Sequence, residues 1–146
     1  MSQEEAPSPF VLIAGAGLGG LTAAIICEKA NINYMVLERA IIVRPLGSAM
    51  SLSAHVQPIF EQLQLLDELK NISLPCPSLD TYTDNLELLG GLDLTTYSEI
   101  TGYDALIFSR PDLYALLLSK VPVEKILMEI PIESAHVNTY KNAFLN

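Results

Sequence analysis

The sequence predicts an α/β protein with a parallel sheet near its start and an antiparallel β segment further along. Three observations carry that expectation. Two apolar runs, Phe10–Ala14 and Tyr34–Leu37, flank a glycine-rich turn and a small-residue helix, the make-up of a βαβ unit. Between Leu79 and Leu94 apolar residues return on both sides of an Asp84-Asn85 turn, as in a hairpin. Apolar residues also recur at helical spacing from Val56 to Leu66 and from Leu113 to Leu117.

Taken in order, residues 1–9 are polar, acidic and proline-bearing, and read as a flexible terminus. Phe10-Val11-Leu12-Ile13-Ala14 has the unbroken apolar content of a strand buried on both faces. Leu18 to Ala30 carries Leu21, Ala24 and Ile25 at helical spacing, and Asn31 should stop the helix before the second strand, Tyr34–Leu37. Arg44-Pro45-Leu46-Gly47 reads as a turn and Ala49–Leu52 as a short strand. His55 to Leu69 reads as one amphipathic helix, separated from the next β segment by Pro75-Cys76-Pro77. A strand at Leu106–Phe108 then leads into a helix with Ser109 as N-cap and Pro111 in its first turn. Ile126–Met128 reads as a short strand, Pro131 interrupts, and 139–146 shows no cap. The expected organisation is a flexible 1–9, a nucleotide-binding domain over 10–125, and a less regular tail over 126–146.

Composition excludes several classes. The 146 residues are 50% hydrophobic and 17% charged, which excludes intrinsic disorder and leaves apolar surface to be covered. A net charge of −9 offers no footprint for nucleic acid or an anionic membrane. Cys27 and Cys76 form no CxxC pair, and His55 and His136 are too isolated for a metal cluster, so no metal is expected. Cys27 reads as core and Cys76 as a loop residue. Ala6 to Cys27 carries no charge, but its four glycines and two prolines argue against a membrane span. Glu4 and Glu5 stand where a signal peptide would be basic, so the expected location is cytoplasmic.

Gly15-Ala16-Gly17-Leu18-Gly19-Gly20 holds the spacing GxGxxG at Gly15, Gly17 and Gly20. The spacing alone is weak; its context between an apolar strand and a helix strengthens it. Gly15 permits the tight turn, Gly17 lets the main chain approach a pyrophosphate, and Gly20 allows close helix–strand packing. Leu18 opens the helix, whose first N–H groups and positive dipole end face the phosphates. Glu38, 23 residues after Gly15, is placed to accept hydrogen bonds from ribose hydroxyls, and its charge disfavours a 2′-phosphate. This Rossmann-like fingerprint fits NAD or FAD and does not separate them. Arg110, a cation at a helix start, opposes the helix dipole, so an anionic partner is expected: a cofactor, or a salt bridge to Asp112 or Asp104.

Phe10 to Ala40 resembles the start of FAD-dependent monooxygenases of the para-hydroxybenzoate hydroxylase group. Three further segments follow that family's order: Glu38-Arg39; Gly47-Ser48-Ala49-Met50-Ser51-Leu52 with the helix running to Leu65-Leu66-Asp67; and Ser109-Arg110-Pro111-Asp112-Leu113. The likeness covers residues 10–122. It implies FAD as cofactor and NAD(P)H as reductant, with an oxygen atom of O₂ passing to a small organic substrate by hydroxylation or epoxidation. It also implies that Arg110 contacts the flavin cofactor, that Arg39 flanks the adenine end or is a solvated surface residue, and that Gly47 and Ser51 offer main chain near the cofactor. The family's downstream Gly-Asp and Asp-Gly motifs have no counterpart here, so the chain reads as an N-terminal fragment or a truncated product, its domain incomplete. Self-association through uncovered surface is a further expectation. Two other readings stand beside this one: an NAD-dependent reductase module, and an inactive nucleotide-binding remnant. No catalytic side chain is nominated.

Overall fold

The computed structural model describes residues 10–41 and 47–130. Its strands are β1 (Phe10–Ala14), β2 (Asn33–Leu37), β3 (Ala49–Leu52), β4 (Ser73–Pro75), β5 (Ser78–Tyr82), β6 (Leu88–Asp93), β7 (Leu106–Ser109) and β8 (Ile126–Leu127). Its helices are α1 (Leu18–Lys29), α2 (Gln57–Gln62), α3 (Leu66–Asn71), α4 (Thr95–Thr101) and α5 (Arg110–Leu118). The chain divides into one compact unit of residues 1–44 and 121–146 and another of residues 45–120. The expected features at 1–9, at Arg44-Pro45-Leu46 and beyond Ile130 lie outside the described residues.

The first unit is built on the βαβ element. β1 and β2 pair in parallel from Phe10↔Asn33 to Ala14↔Leu37, and β8 adds to the far side of β2. Leu21, Ala24, Ile25 and Cys27 are buried along α1, each leucine or isoleucine worth about 1.5–3 kcal/mol by transfer from water. Asn31 ends the helix as expected. Its φ is 53°, with the Asn31 N–H on Glu28 O and the Ile32 N–H on Cys27 O, a Schellman stop for which Asn is the usual substitute for Gly.

β1 departs from the expectation of burial on both faces. Ile13 is buried and packs toward Gly20 of α1, whereas Phe10 is 48% and Leu12 38% exposed. Val11, on the same face as Ile13, is itself 37% exposed, so that face is covered only around Ile13, where Gly20 of α1 approaches. Among the described residues β1 also pairs on one side only, with β2.

A short 3₁₀ turn at Val123–Lys125 precedes β8 and is tied back to the βαβ element. Lys125 Nζ lies 2.7 Å from Glu28 Oε2 and 4.6 Å above the ring of Tyr34. The Lys125 hydrogen bond, first of all, holds the Glu28 carboxyl below its ordinary value. Burial, and then the neighbouring Glu28 carboxylate, pushes the Tyr34 phenol well above its own. Because the Lys125–Glu28 pair is partly solvated, it contributes at most about 1 kcal/mol.

The second unit centres on an antiparallel sheet of order β3-β7-β4, registered by Ala49↔Ser109 and Ser73↔Phe108, with Leu106 and Phe108 buried. The single helix expected over His55–Leu69 is instead a 3₁₀ turn at Ala54–Val56 followed by α2 and α3. The break is another Schellman stop, with Gln64 at φ 59°, its N–H on Glu61 O and the Leu65 N–H on Phe60 O. Phe60, Leu63, Leu65 and Leu69 are buried all the same, which is why the apolar spacing runs on through the break.

β5 and β6 form the expected hairpin, with a register shift between Thr81 and Tyr82. Its leucines are largely solvent-facing: Leu79, Leu88, Leu89 and Leu92 are all exposed. Helix α4 was not expected. Its start is organised by Asp93, whose Oδ1 accepts the Thr95 N–H at 2.8 Å and the Thr95 hydroxyl at 2.7 Å. Cys76 is the expected loop residue, between β4 and β5, but a buried one: it packs with Leu94 and Ala105, its N–H bonded to Ala105 O at 2.7 Å. Pro111 lies in the first turn of α5 and Ser109 is its N-cap, but the Ser109 hydroxyl makes no capping bond, so that part of the expectation fails.

Candidate nucleotide site

In the first unit the three fingerprint glycines stand in three different settings. Gly15 has φ +96°, a conformation side chains rarely adopt, and donates its N–H to Leu37 O at 2.7 Å. A Cβ on Gly20 would stand 1.9 Å from Gly15 O, so only glycine lets the helix pass the turn. Gly17 is the N-cap of α1 and is exposed, and a Cβ there would meet nothing within 4 Å. That open space lies where the helix presents its unsatisfied N–H groups, a setting that suits phosphate oxygens. Leu18, half-buried, is the first helical residue.

Glu38 follows β2 directly and turns its carboxylate back to the glycine turn. Oε2 accepts the Ala16 N–H at 2.7 Å and Oε1 accepts the Ala40 N–H at 2.9 Å. These two bonds, the one from Ala16 foremost, hold its carboxyl below the ordinary carboxylate range, with a smaller contribution from the charge of Arg39. Arg39 itself is exposed. The bond to Ala16 was not anticipated, since sequence spacing gives the distance along the chain but not the fold-back of a side chain.

In the second unit Gly47 and Arg110 are neighbours. Gly47 has φ +139°, and a Cβ on it would lie 2.8 Å from Arg110 Cδ, so the arginine stem occupies the room a side chain would need. The Arg110 N–H also bonds to Ser48 O at 3.2 Å. Ser51, opposite Ile107 in the β3–β7 pair, borders an apolar cavity of about 220 Å³ together with His55, Leu92, Leu94 and Tyr97. The His55 and Tyr97 rings meet edge to face at 5.6 Å. Sequence reasoning missed this cavity because α4, which supplies Tyr97, carries no apolar periodicity. Among the described residues no group of side chains is arranged to hold a metal ion, and no helix is long and apolar enough to cross a membrane.

Comparison with solved structures defines the class of fold. The chain superposes on 2-methyl-3-hydroxypyridine-5-carboxylic acid oxygenase with a TM-score of 0.68 at 22% identity, over 85% of this chain and 32% of that one. For Klebsiella pneumoniae HpxO, solved with FAD and uric acid, the TM-score is 0.70 at 20% identity, over 83% of this chain and 31% of that one. No protein-family model matches. Among curated proteins the chain is 28% identical over 117 residues to the FAD-dependent monooxygenase pytG of Aspergillus terreus, covering 80% of this chain and 35% of that one. It is 28% identical over 122 residues to the 2-heptyl-3-hydroxy-4(1H)-quinolone synthase of Pseudomonas aeruginosa, covering 84% of this chain and 31% of that protein. Over most of its length the chain is thus similar to one part of proteins described as FAD-dependent monooxygenases, and it shares the fold of that part. It spans about a third of the length of these curated relatives.

Proposed function

We propose that the chain is the FAD-binding part of a flavin-dependent monooxygenase acting on a small organic substrate. The observation that carries this reading is the open main chain at Gly17, at the N-terminus of α1 and beside a turn whose Ala16 N–H is held by Glu38. The residues fit the cofactor: Gly15, Gly17, Leu18 and Gly20 would hold its pyrophosphate against the helix N-terminus. Glu38 would take the ribose hydroxyls, since a carboxylate has about four lone-pair sites and two are in use. Arg39, Gly47, Ser51 and Arg110 enter the reading on the resemblance. When bound and reduced by NAD(P)H, FAD supplies the oxygen-activating chemistry. The chain's own residues bind and orient it; in the second unit, the apolar cavity beside His55 and Tyr97 has the lining an organic substrate would need. The names of the curated relatives favour FAD over the NAD-module reading.

Titration of the chain with ADP and with FAD, monitored by calorimetry and flavin fluorescence, tests this. Both ligands should bind, and Gly17→Val should abolish both while leaving the circular dichroism unchanged, because its side chain would fill only the pyrophosphate's place. Unchanged affinity in the folded variant would remove the site.

A further inference from the structure

Glu38 is held from two sides. Its carboxylate accepts the Ala16 and Ala40 N–H groups, while its own N–H donates to Leu127 O at 2.8 Å and its carbonyl accepts the Ile130 N–H at 2.9 Å. Ala16, buried to 1% exposure, is the residue between the first two fingerprint glycines. We infer that Glu38 is a positioning residue for the glycine turn: its carboxylate fixes the Gly15–Gly17 main chain in the shape that keeps Gly17 open, and the 126–130 segment in turn fixes Glu38. The inference rests on the proposed nucleotide reading only for what the turn holds; the contacts stand without it.

The physical need for such a clamp is plain. Glycines flank Ala16, and glycine loses more conformational freedom on ordering than any other residue. A turn held before the ligand arrives spares that loss at binding, which is how preorganisation raises affinity. A carboxylate suits the task because it is acceptor-only and a charge-assisted bond to N–H is about twice as strong as a neutral one. Glutamine keeps the size but has one acceptor oxygen, so it would turn an N–H₂ toward one of the two amides. Among the described residues, Arg39 acts on the carboxylate from its own segment, the turn residues 15–20 are uncharged, and Glu129 is the titratable residue of the 126–130 segment.

Amide NMR of the full chain without ligand tests the inference. In the wild type the Ala16 and Ala40 amide protons should shift together with the Glu38 carboxyl on acidification, with one midpoint below the ordinary value of about 4.3. This measurement needs no variant, so it holds even if a substitution unfolds the chain. In Glu38→Gln both amides should stop titrating, and hydrogen exchange should quicken by about ten-fold at whichever of Ala16 and Ala40 then faces the N–H₂, while the affinity for ADP falls by about ten-fold. Ile130→Pro, which removes the N–H on the Glu38 carbonyl, should quicken exchange at Ala16 although residue 130 does not bond to the turn. An Ala16 amide that ignores the Glu38 titration, or exchange unchanged at both Ala16 and Ala40 in the folded Gln variant, overturns the inference. Coupled titration in a wild type that binds neither ADP nor FAD upholds the clamp and sinks the nucleotide reading instead.

Discussion

Gly17 and Gly20 show at single-residue scale how two letters of one motif answer to different forces. Gly20 answers to packing: a methyl group there would stand 1.9 Å from the carbonyl oxygen of Gly15, and main chain cannot yield cheaply. Gly20→Ala should therefore cost about 1–3 kcal/mol or more in a urea titration, the range of an overpacked core. Gly17 has open space around it, so Gly17→Ala should lower the unfolding free energy from the same titration by no more than about 1 kcal/mol, the cost of alanine at an N-cap. Equal destabilisation by the two alanines would mean that the turn is packed differently. Glu38 and Arg39 make a second contrast. Glu38 holds two amides, whereas Arg39 is exposed. Glu38→Ala should weaken FAD by roughly 10- to 100-fold, corresponding to about 1.5–3 kcal/mol for bonds to a charged group. Arg39→Ala should weaken it less, and equal losses by fluorescence titration would put the assignment of Glu38 to the ribose in doubt.

At the scale of elements, α1, α2 and the β5–β6 hairpin each turn through a left-handed residue that is not glycine: Asn31, Gln64 and Leu86. Asn31 is a familiar stop, so α1 was legible from residues alone. Gln64 is a good helix former and hid the break between α2 and α3. Leu86, at φ 63° between β5 and β6 and 81% exposed, has no packing to lose. The left-handed conformation costs a non-glycine residue about 1–2 kcal/mol, part of which glycine gives back through its looser unfolded chain. Leu86→Gly should thus raise stability by up to about 1 kcal/mol in thermal or urea unfolding; a clear loss would show that the leucine makes contacts the hairpin depends on. The α4 helix shows the opposite limit. Its order comes from Asp93 holding Thr95 and from Gly102 closing its end, not from an apolar stripe.

For the whole molecule, apolar exposure and charge pull against each other. Phe10 and Leu12 on β1 and the leucines of the β5–β6 hairpin present apolar surface and strand edges, while a net charge of −9 keeps copies apart. We expect the chain to self-associate, more so as salt screens the charge, and to bind FAD only weakly, because it spans about a third of the length of its curated relatives. Light scattering across a salt series, beside a flavin titration, checks both. A monomer at every salt concentration with sub-micromolar affinity would overturn this expectation.

The parts of this protein that depend on near neighbours in sequence were determined by the residues themselves. The strand–turn–helix–strand order, the three fingerprint glycines, the stop at Asn31 and the hairpin around Asp84-Asn85 each rest on backbone freedom or on apolar spacing within a few residues. Only the tertiary structure decided what needs distant segments to meet. It placed the Glu38 carboxylate on the Ala16 amide, brought residues 126–130 beside Glu38, buried Cys76 with Leu94 and Ala105, and left all of β1 but Ile13 exposed. Local spacing reports which faces are apolar; which partner reaches each face, and which side chain folds back on which main-chain group, depends on contacts whose separation along the chain carries no signal.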